Sequence, residues 1–125
     1  MTTTETLDLA PAAITLRAAD RIERNGLAHT NYTQPIDGKD IADWPMDPLG
    51  AIAYECGLDP RVWEDDHLNH AGLAAACEAA DLLVMFLGFD PAGAYDETLG
   101  GWADELTSTV VSSEMRAAAR QAVTS

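Results

Sequence analysis

The densest run of ligand-type side chains is Glu64-Asp65-Asp66-His67-Leu68-Asn69-His70. If this segment is helical, His67 and His70 share one face. Asp66 beside them adds an oxygen donor, giving a mixed set of the kind zinc and other divalent ions accept. Cys77 follows His70 by two turns on that face. The spacing matches no established zinc motif, and acidic residues also gather at helix starts, where the dipole is positive. A metal site at Asp66, His67 and His70 therefore stands as the alternative to a solvated helix start with exposed histidines.

A second set of polar and aromatic residues, His29, Tyr32, Asp43, Trp44 and Asp47, falls in a stretch rich in proline and aspartate. Those residues could line a pocket, but aromatic side chains in a long loop more commonly tether it to the core. The sequence contains no GxSxG, HExxH, GxGxxG or phosphate-binding glycine loop, so no nucleophile, metal-bound water or nucleotide chemistry is indicated. No cofactor is expected. Two cysteines, Cys56 and Cys77, form no CxxC pair and are read as free thiols packed like small apolar residues.

Charge is the most informative property. The chain carries 21 acidic against 7 basic residues, a net charge of -14. Residues 1–36 are nearly balanced, with Arg17, Arg21 and Arg24 against Glu5, Asp8, Asp20 and Glu23, and residues 106–125 have Arg116 and Arg120 against Glu114. Between them, residues 37–105 hold every other acid but only Lys39 and Arg61. The whole excess of negative charge thus belongs to the middle of the chain. Such a block cannot release counterions from a phosphate backbone, so direct nucleic-acid binding is excluded, whereas a protein with a basic surface would be steered toward it. The residues assigned to that acidic face are Asp37, Asp40, Asp43, Glu64, Asp65, Asp66, Asp96 and Glu97. The competing explanation is solubility together with helix capping.

The elements that must position these groups are mostly helices. Hydrophobic residues make up 47% of the chain, enough for one core at this length, and alanine is abundant where β-branched and aromatic residues are sparse, which favours helix over sheet. Residues 1–10 read as a flexible tail and 11–125 as one helical domain, a bundle of about four to five helices around a central Ala-rich helix over 69–87, with a long loop over 27–46. The first helix, Pro11–Arg24, places Ile14, Leu16, Ala18 and Ile22 at helical offsets and stops at Asn25-Gly26. Asp47-Pro48 and Asp59-Pro60 pair an N-cap aspartate with a proline at the first helical position. Gly88 ends the central helix, Asp90-Pro91 marks a turn, and 92–101 reads as a loop. Thr107 or Ser108 caps a last helix with an apolar stripe of Val111, Met115, Ala118 and Ala122. The N-terminal MTTTETLDLA has neither a basic leader nor an apolar stretch, so a membrane role is not expected and the compartment is read as cytoplasmic.

Several segments together resemble a family of small actinobacterial and actinophage proteins known only as a domain of unknown function. They are ITLRAADRIERNGL, DPLGAIAYECG and GWADELTSTVVSSEMRAAAR. The resemblance spans Ile14 to Ala122 and implies scaffold roles: Gly50 for close packing, Trp102 for the core and Asp104 for a turn hydrogen bond. The family's cysteine before the Leu-Gly-Ala stretch is Asp47 here, and its Trp-Asn-Asp turn is Trp102-Ala103-Asp104. Any chemistry resting on that cysteine or asparagine would be lost.

The sequence therefore points to a non-catalytic acidic interaction protein, accessory or inhibitory, acting on a host protein if it is phage-encoded. A metal- or ligand-binding module or enzyme at His67 and His70 is the first alternative, and a nucleic-acid mimic the second. Trp44, Trp63 and Trp102 leave a homo-oligomer open.

Overall fold

A computed structural model describes residues 9–29, 31–64 and 72–124. The described residues form five helices: α1 (Pro11–Asn25), α2 (Pro48–Glu55), α3 (Leu73–Leu87), the single turn α4 (Gly101–Ala103) and α5 (Ser108–Thr124). Two 3₁₀ turns, Ile41–Asp43 and Pro60–Glu64, and a π-helical turn, Asp96–Gly100, connect them. Among the described residues there is no strand, only isolated bridges from Met46 to Leu27 and to Thr33. Among the described residues no helix is long and apolar enough to cross a membrane.

Helix α1 packs against α2, α3 and α5. It buries Ile14, Ala18, Ala19 and Ile22, with Thr15 donating its hydroxyl to the Pro11 carbonyl at 2.8 Å. Leu16, expected on the core face, is exposed, because the buried stripe runs through positions 14, 15, 18, 19 and 22 and leaves position 16 turned away. Gly26 ends α1 as expected, although its ψ of 166° sends the chain out extended rather than into a left-handed cap. Helix α3 contributes Ala76, Ala79, Ala80, Leu83 and Val84. The three alanines allow close helix approach, and Gly88 closes the helix with φ 84°.

Helix α5 starts with the Val110 N–H donating to Thr107 Oγ1 at 3.2 Å. It buries Val111, Ser112, Met115, Ala118 and Ala119, while Ala122 is exposed near its end. The stretch read as a loop over 92–101 is helical from Tyr95 onward, where Leu99 is fully buried and pulls the π turn onto the core. Of the helix expected over 69–87, residues 73–87 are observed. Asn69 to Ala71 lie outside the described residues.

Candidate functional site

Three segments far apart in sequence meet at the start of α2. Asp47 caps that helix: its Oδ1 accepts from the Gly50 N–H at 2.7 Å, and Pro48 occupies the first helical position. The Asp47 N–H donates to the Tyr32 carbonyl at 3.1 Å. This contact lays the 31–33 strap directly over Gly50, and any Cβ at Gly50 would overlap the Tyr32 carbonyl. The glycine expected to serve helix packing instead admits a loop carbonyl. Met46 bonds with Gly26 and Ala28 on one side, and the Pro45 carbonyl accepts from the Gln34 N–H and the Thr33 hydroxyl. The long loop is thereby fixed to the body of the protein.

The second segment is the 3₁₀ turn Pro60–Glu64. It is anchored by Trp63, whose indole Nε1–H donates to the Leu49 carbonyl at 2.8 Å. The Trp63 ring meets Tyr95 edge to face, with centroids 5.6 Å apart at 70°. Tyr95 in turn donates its hydroxyl to Asp81 Oδ1 of α3 at 2.7 Å. One aromatic pair thus joins α2, the 3₁₀ turn, α3 and the π turn, and it places Glu64 and Asp96, the residues that follow Trp63 and Tyr95, on the same side.

The result is a pocket of about 210 Å³ lined by Asn31, Tyr32, Asp47, Glu64, Asp96, Gly100 and Asp104. Four carboxylates face it, and no lysine or arginine is among its described lining residues. Asp47 forms its buried wall, only 6% exposed. Burial pushes its carboxyl up to about 7, and the nearby Asp104 charge pushes the same way, against the pull of the Gly50 and Leu49 N–H groups. The Tyr32 hydroxyl is likewise raised, by burial first and then by the charges of Asp96, Asp47 and Glu64.

Four arginines are engaged elsewhere. Arg17 and Arg21 both bind Glu55, at 3.2 and 2.7 Å, and the Arg21 guanidinium also donates to the Ala42 carbonyl and lies 4.4 Å above the Tyr54 ring centroid. Arg116 bridges Asp20 and Glu23, and Arg61 pairs with Asp59. These pairs neutralise Asp20 and Glu23 on α1, Glu55 on α2 and Asp59.

Of the acidic face assigned from sequence, Glu64 and Asp96 line the pocket, and Glu97 is exposed on the same π turn. Asp37, Asp40 and Asp43 are exposed on the loop between α1 and α2 and do not line it. Asp65, Asp66, His67 and His70 lie outside the described residues. Among the described residues, no group of three or more His, Cys, Asp or Glu side chains is arranged to hold a metal ion. Tyr32 and Asp47, from the loop set, do line the cavity. Trp44 instead donates to the Lys39 carbonyl at 3.0 Å, and His29 is exposed. Asp104, read as a turn residue, is the wall that sequence alone did not assign.

Two shallow apolar grooves flank the end of α5. Leu82, Met85 and Phe86 line one and Ala12, Ala13 and Leu16 the other. Met85 is 66% and Val123 72% exposed.

A model of a family of unknown function, DUF6197, matches residues 6–121. The chain belongs to the DUF6197 family. No curated protein and no solved structure matches it. The DUF6197 match runs from α1 into α5 and so includes all three segments that build the pocket.

Proposed function

We propose that this protein is a non-catalytic interaction module whose acidic middle receives a basic surface of a protein partner, with a lysine or arginine side chain of that partner entering the pocket at Asp47. The observation that carries this reading is the convergence of Asp47, Glu64, Asp96 and Asp104 on one cavity with no lysine or arginine among its described lining residues, while Arg17, Arg21, Arg61 and Arg116 pair with other acids. Like charges gathered around a concavity destabilise the free protein and are relieved by a cation. The resemblance to actinobacterial and actinophage proteins favours a host protein as the partner.

The test is capture from lysate of the natural host with wild type and with an Asp96→Asn/Asp104→Asn variant, each at low and high salt. A partner held through this face should be lost at high salt, because exposed charge contacts are screened over about 8 Å at physiological ionic strength, and should be lost from the variant at low salt. Retention in both cases refutes the acidic pocket as the binding site.

Self-association is a second reading, favoured by a different observation. One apolar groove beside α5, lined by Ala12, Ala13, Leu16 and Ala119, lies between the charge-balanced helices α1 and α5, with Val123 open to solvent. Two copies carrying -14 each repel least when they approach by those helices. Sedimentation of wild type and Val123→Glu distinguishes the cases: a dimer that the variant breaks supports this reading, and a monomeric wild type removes it.

A further inference from the structure

We propose that the groove between α3 and α5 is a second docking surface, one that seats a basic amphipathic helix of a protein partner with its apolar stripe on Met85 and Phe86. The inference rests on the reading of the protein as an interaction module for basic partners, but it uses a different face: the groove and the acidic pocket share no lining residue.

The groove is built by a second apolar stripe on α3. One stripe, Ala76, Ala79, Ala80, Leu83 and Val84, is spent in the core. Leu82, Met85 and Phe86 form another at helical offsets, and with Ala118, Gln121 and Ala122 of α5 they line the groove. Leu82 and Phe86 are half-buried against the core, while Met85 is 66% exposed. Phe89 prolongs the strip: beyond the Gly88 cap its N–H donates to the Val84 carbonyl at 3.1 Å, and the residue is 40% exposed. A shallow trough between two helices does not enclose a small molecule as a ligand pocket does, but it has the form in which one helix receives another through anchors at i, i+3 and i+4. Methionine suits such a seat, because its unbranched, polarizable side chain adapts to what it meets.

Charge selects the occupant. Glu78 stands one turn before Leu82 on α3 and Glu114 one turn before Ala118 on α5, each in register with the residues that line the groove, and Asp90 follows Phe89. Glu78 and Asp90 are exposed and Glu114 is half-buried. No lysine or arginine is among the described lining residues, and the two arginines of α5 serve its other side: Arg116 binds Asp20 and Glu23 of α1, and Arg120 lines the groove shared with α1. A second copy seated here would set the same acids against one another on chains of -14 each, and an anionic membrane surface would meet the same repulsion. A helix with large apolar anchors flanked by lysine or arginine satisfies both the trough and its acidic margins.

The experiment measures binding of a labelled leucine–lysine peptide to the full chain by fluorescence anisotropy at low salt. The peptide has about 18 residues, enough to hold a helix, with leucines at i, i+3, i+4 and i+7 and lysines between them. One control has the same composition scrambled so that no apolar stripe forms, and another has glutamate in place of lysine. Both controls should bind about ten-fold more weakly or worse, and Met85→Glu should impose a similar loss on the first peptide, the worth of one buried apolar side chain. Glu78→Lys should weaken it several-fold, and the Asp96→Asn/Asp104→Asn variant of the pocket should leave it unchanged. Met85 and Glu78 are exposed, so neither change disturbs the core. Equal binding of either control peptide, or binding to Met85→Glu as tight as to wild type, overturns the inference. Loss in the pocket variant with Met85→Glu unaffected also overturns it, and moves the basic partner to the pocket. A wild-type dimer that Met85→Glu dissociates, or anionic phospholipid vesicles that carry down wild type and not Met85→Glu, makes a second copy or a lipid surface the occupant and overturns it. No binding of the leucine–lysine peptide overturns it as well, while lysate capture that depends on Asp96 and Asp104 decides the proposed function separately.

Discussion

The carbonyl oxygen of Tyr32 occupies the place where a side chain at Gly50 would begin. This single approach joins the strap to α2, because the same carbonyl accepts from the Asp47 N–H that opens the helix. Replacement of Gly50 by alanine must therefore push the strap outward, and no flexible side chain can absorb the overlap, since the obstacle is backbone. Overpacking of this kind costs roughly 1–3 kcal/mol, or a Tm lower by about 4 °C per kcal/mol in a chain of this size. Thermal denaturation of Gly50→Ala should show that loss, while Gly101→Ala, where an added Cβ meets nothing, should not.

Arg21 and Glu55 form a largely enclosed ion pair, with side chains only 11% and 12% exposed. Arg21 also holds the Ala42 carbonyl, so the pair fastens α1, α2 and the loop at once. Removing one partner of a buried pair leaves the other uncompensated, at about 3–5 kcal/mol, and the second arginine on Glu55 places Glu55→Gln within that range. The exposed Asp59–Arg61 pair should contribute nothing measurable. Chemical denaturation of Glu55→Gln and Arg61→Ala checks the contrast, and equal effects would contradict it.

Local devices were readable from the chain alone. Asp47-Pro48, Asp59-Pro60, Thr107 and Gly88 each act within a few residues of themselves, so side-chain type and neighbour suffice to place them, and the structure shows each at work. The helical turn from Tyr95 was not readable. Its sequence, DETLGG, has poor helix formers, and it is held by long-range contacts, Leu99 in the core and Tyr95 against Trp63 and Asp81. The pocket was hidden for the same reason. Charge bookkeeping located the acidic middle of the chain, but only tertiary packing decides that Asp104 faces Asp47 while Asp37, Asp40 and Asp43 do not.

Leu99 should therefore couple core packing to the pocket. It is fully buried and sits between Asp96 and Gly100, both of which line the cavity. Leu99→Ala should cost about 2–5 kcal/mol through the void it leaves and should also loosen the acidic wall. The check is to compare Leu99→Ala with Leu83→Ala, a fully buried α3 residue outside the pocket. At similar loss of stability, only the first should weaken capture of a basic partner.

The raised carboxyl of Asp47 also gives stability a definite pH dependence. In the unfolded chain an aspartate titrates at about 3.9, whereas in the folded protein Asp47 titrates at about 7. Between those values the folded state binds more protons than the unfolded one, so stability from this group declines as pH rises. Its contribution is fully present below the unfolded value, is lost progressively as pH climbs through the window, and levels off once the folded carboxyl has ionised. Unfolding in denaturant at pH 6 and pH 8 should accordingly show wild type weaker at the higher pH. Asp47→Asn removes the ionisation but keeps a capping oxygen, so the part of the decline due to Asp47 should disappear and the variant should gain most relative to wild type at pH 8. An Asp47→Asn protein that declines as steeply as wild type would show that Asp47 is already ionised at pH 6, held by the Gly50 N–H more strongly than burial and Asp104 oppose it.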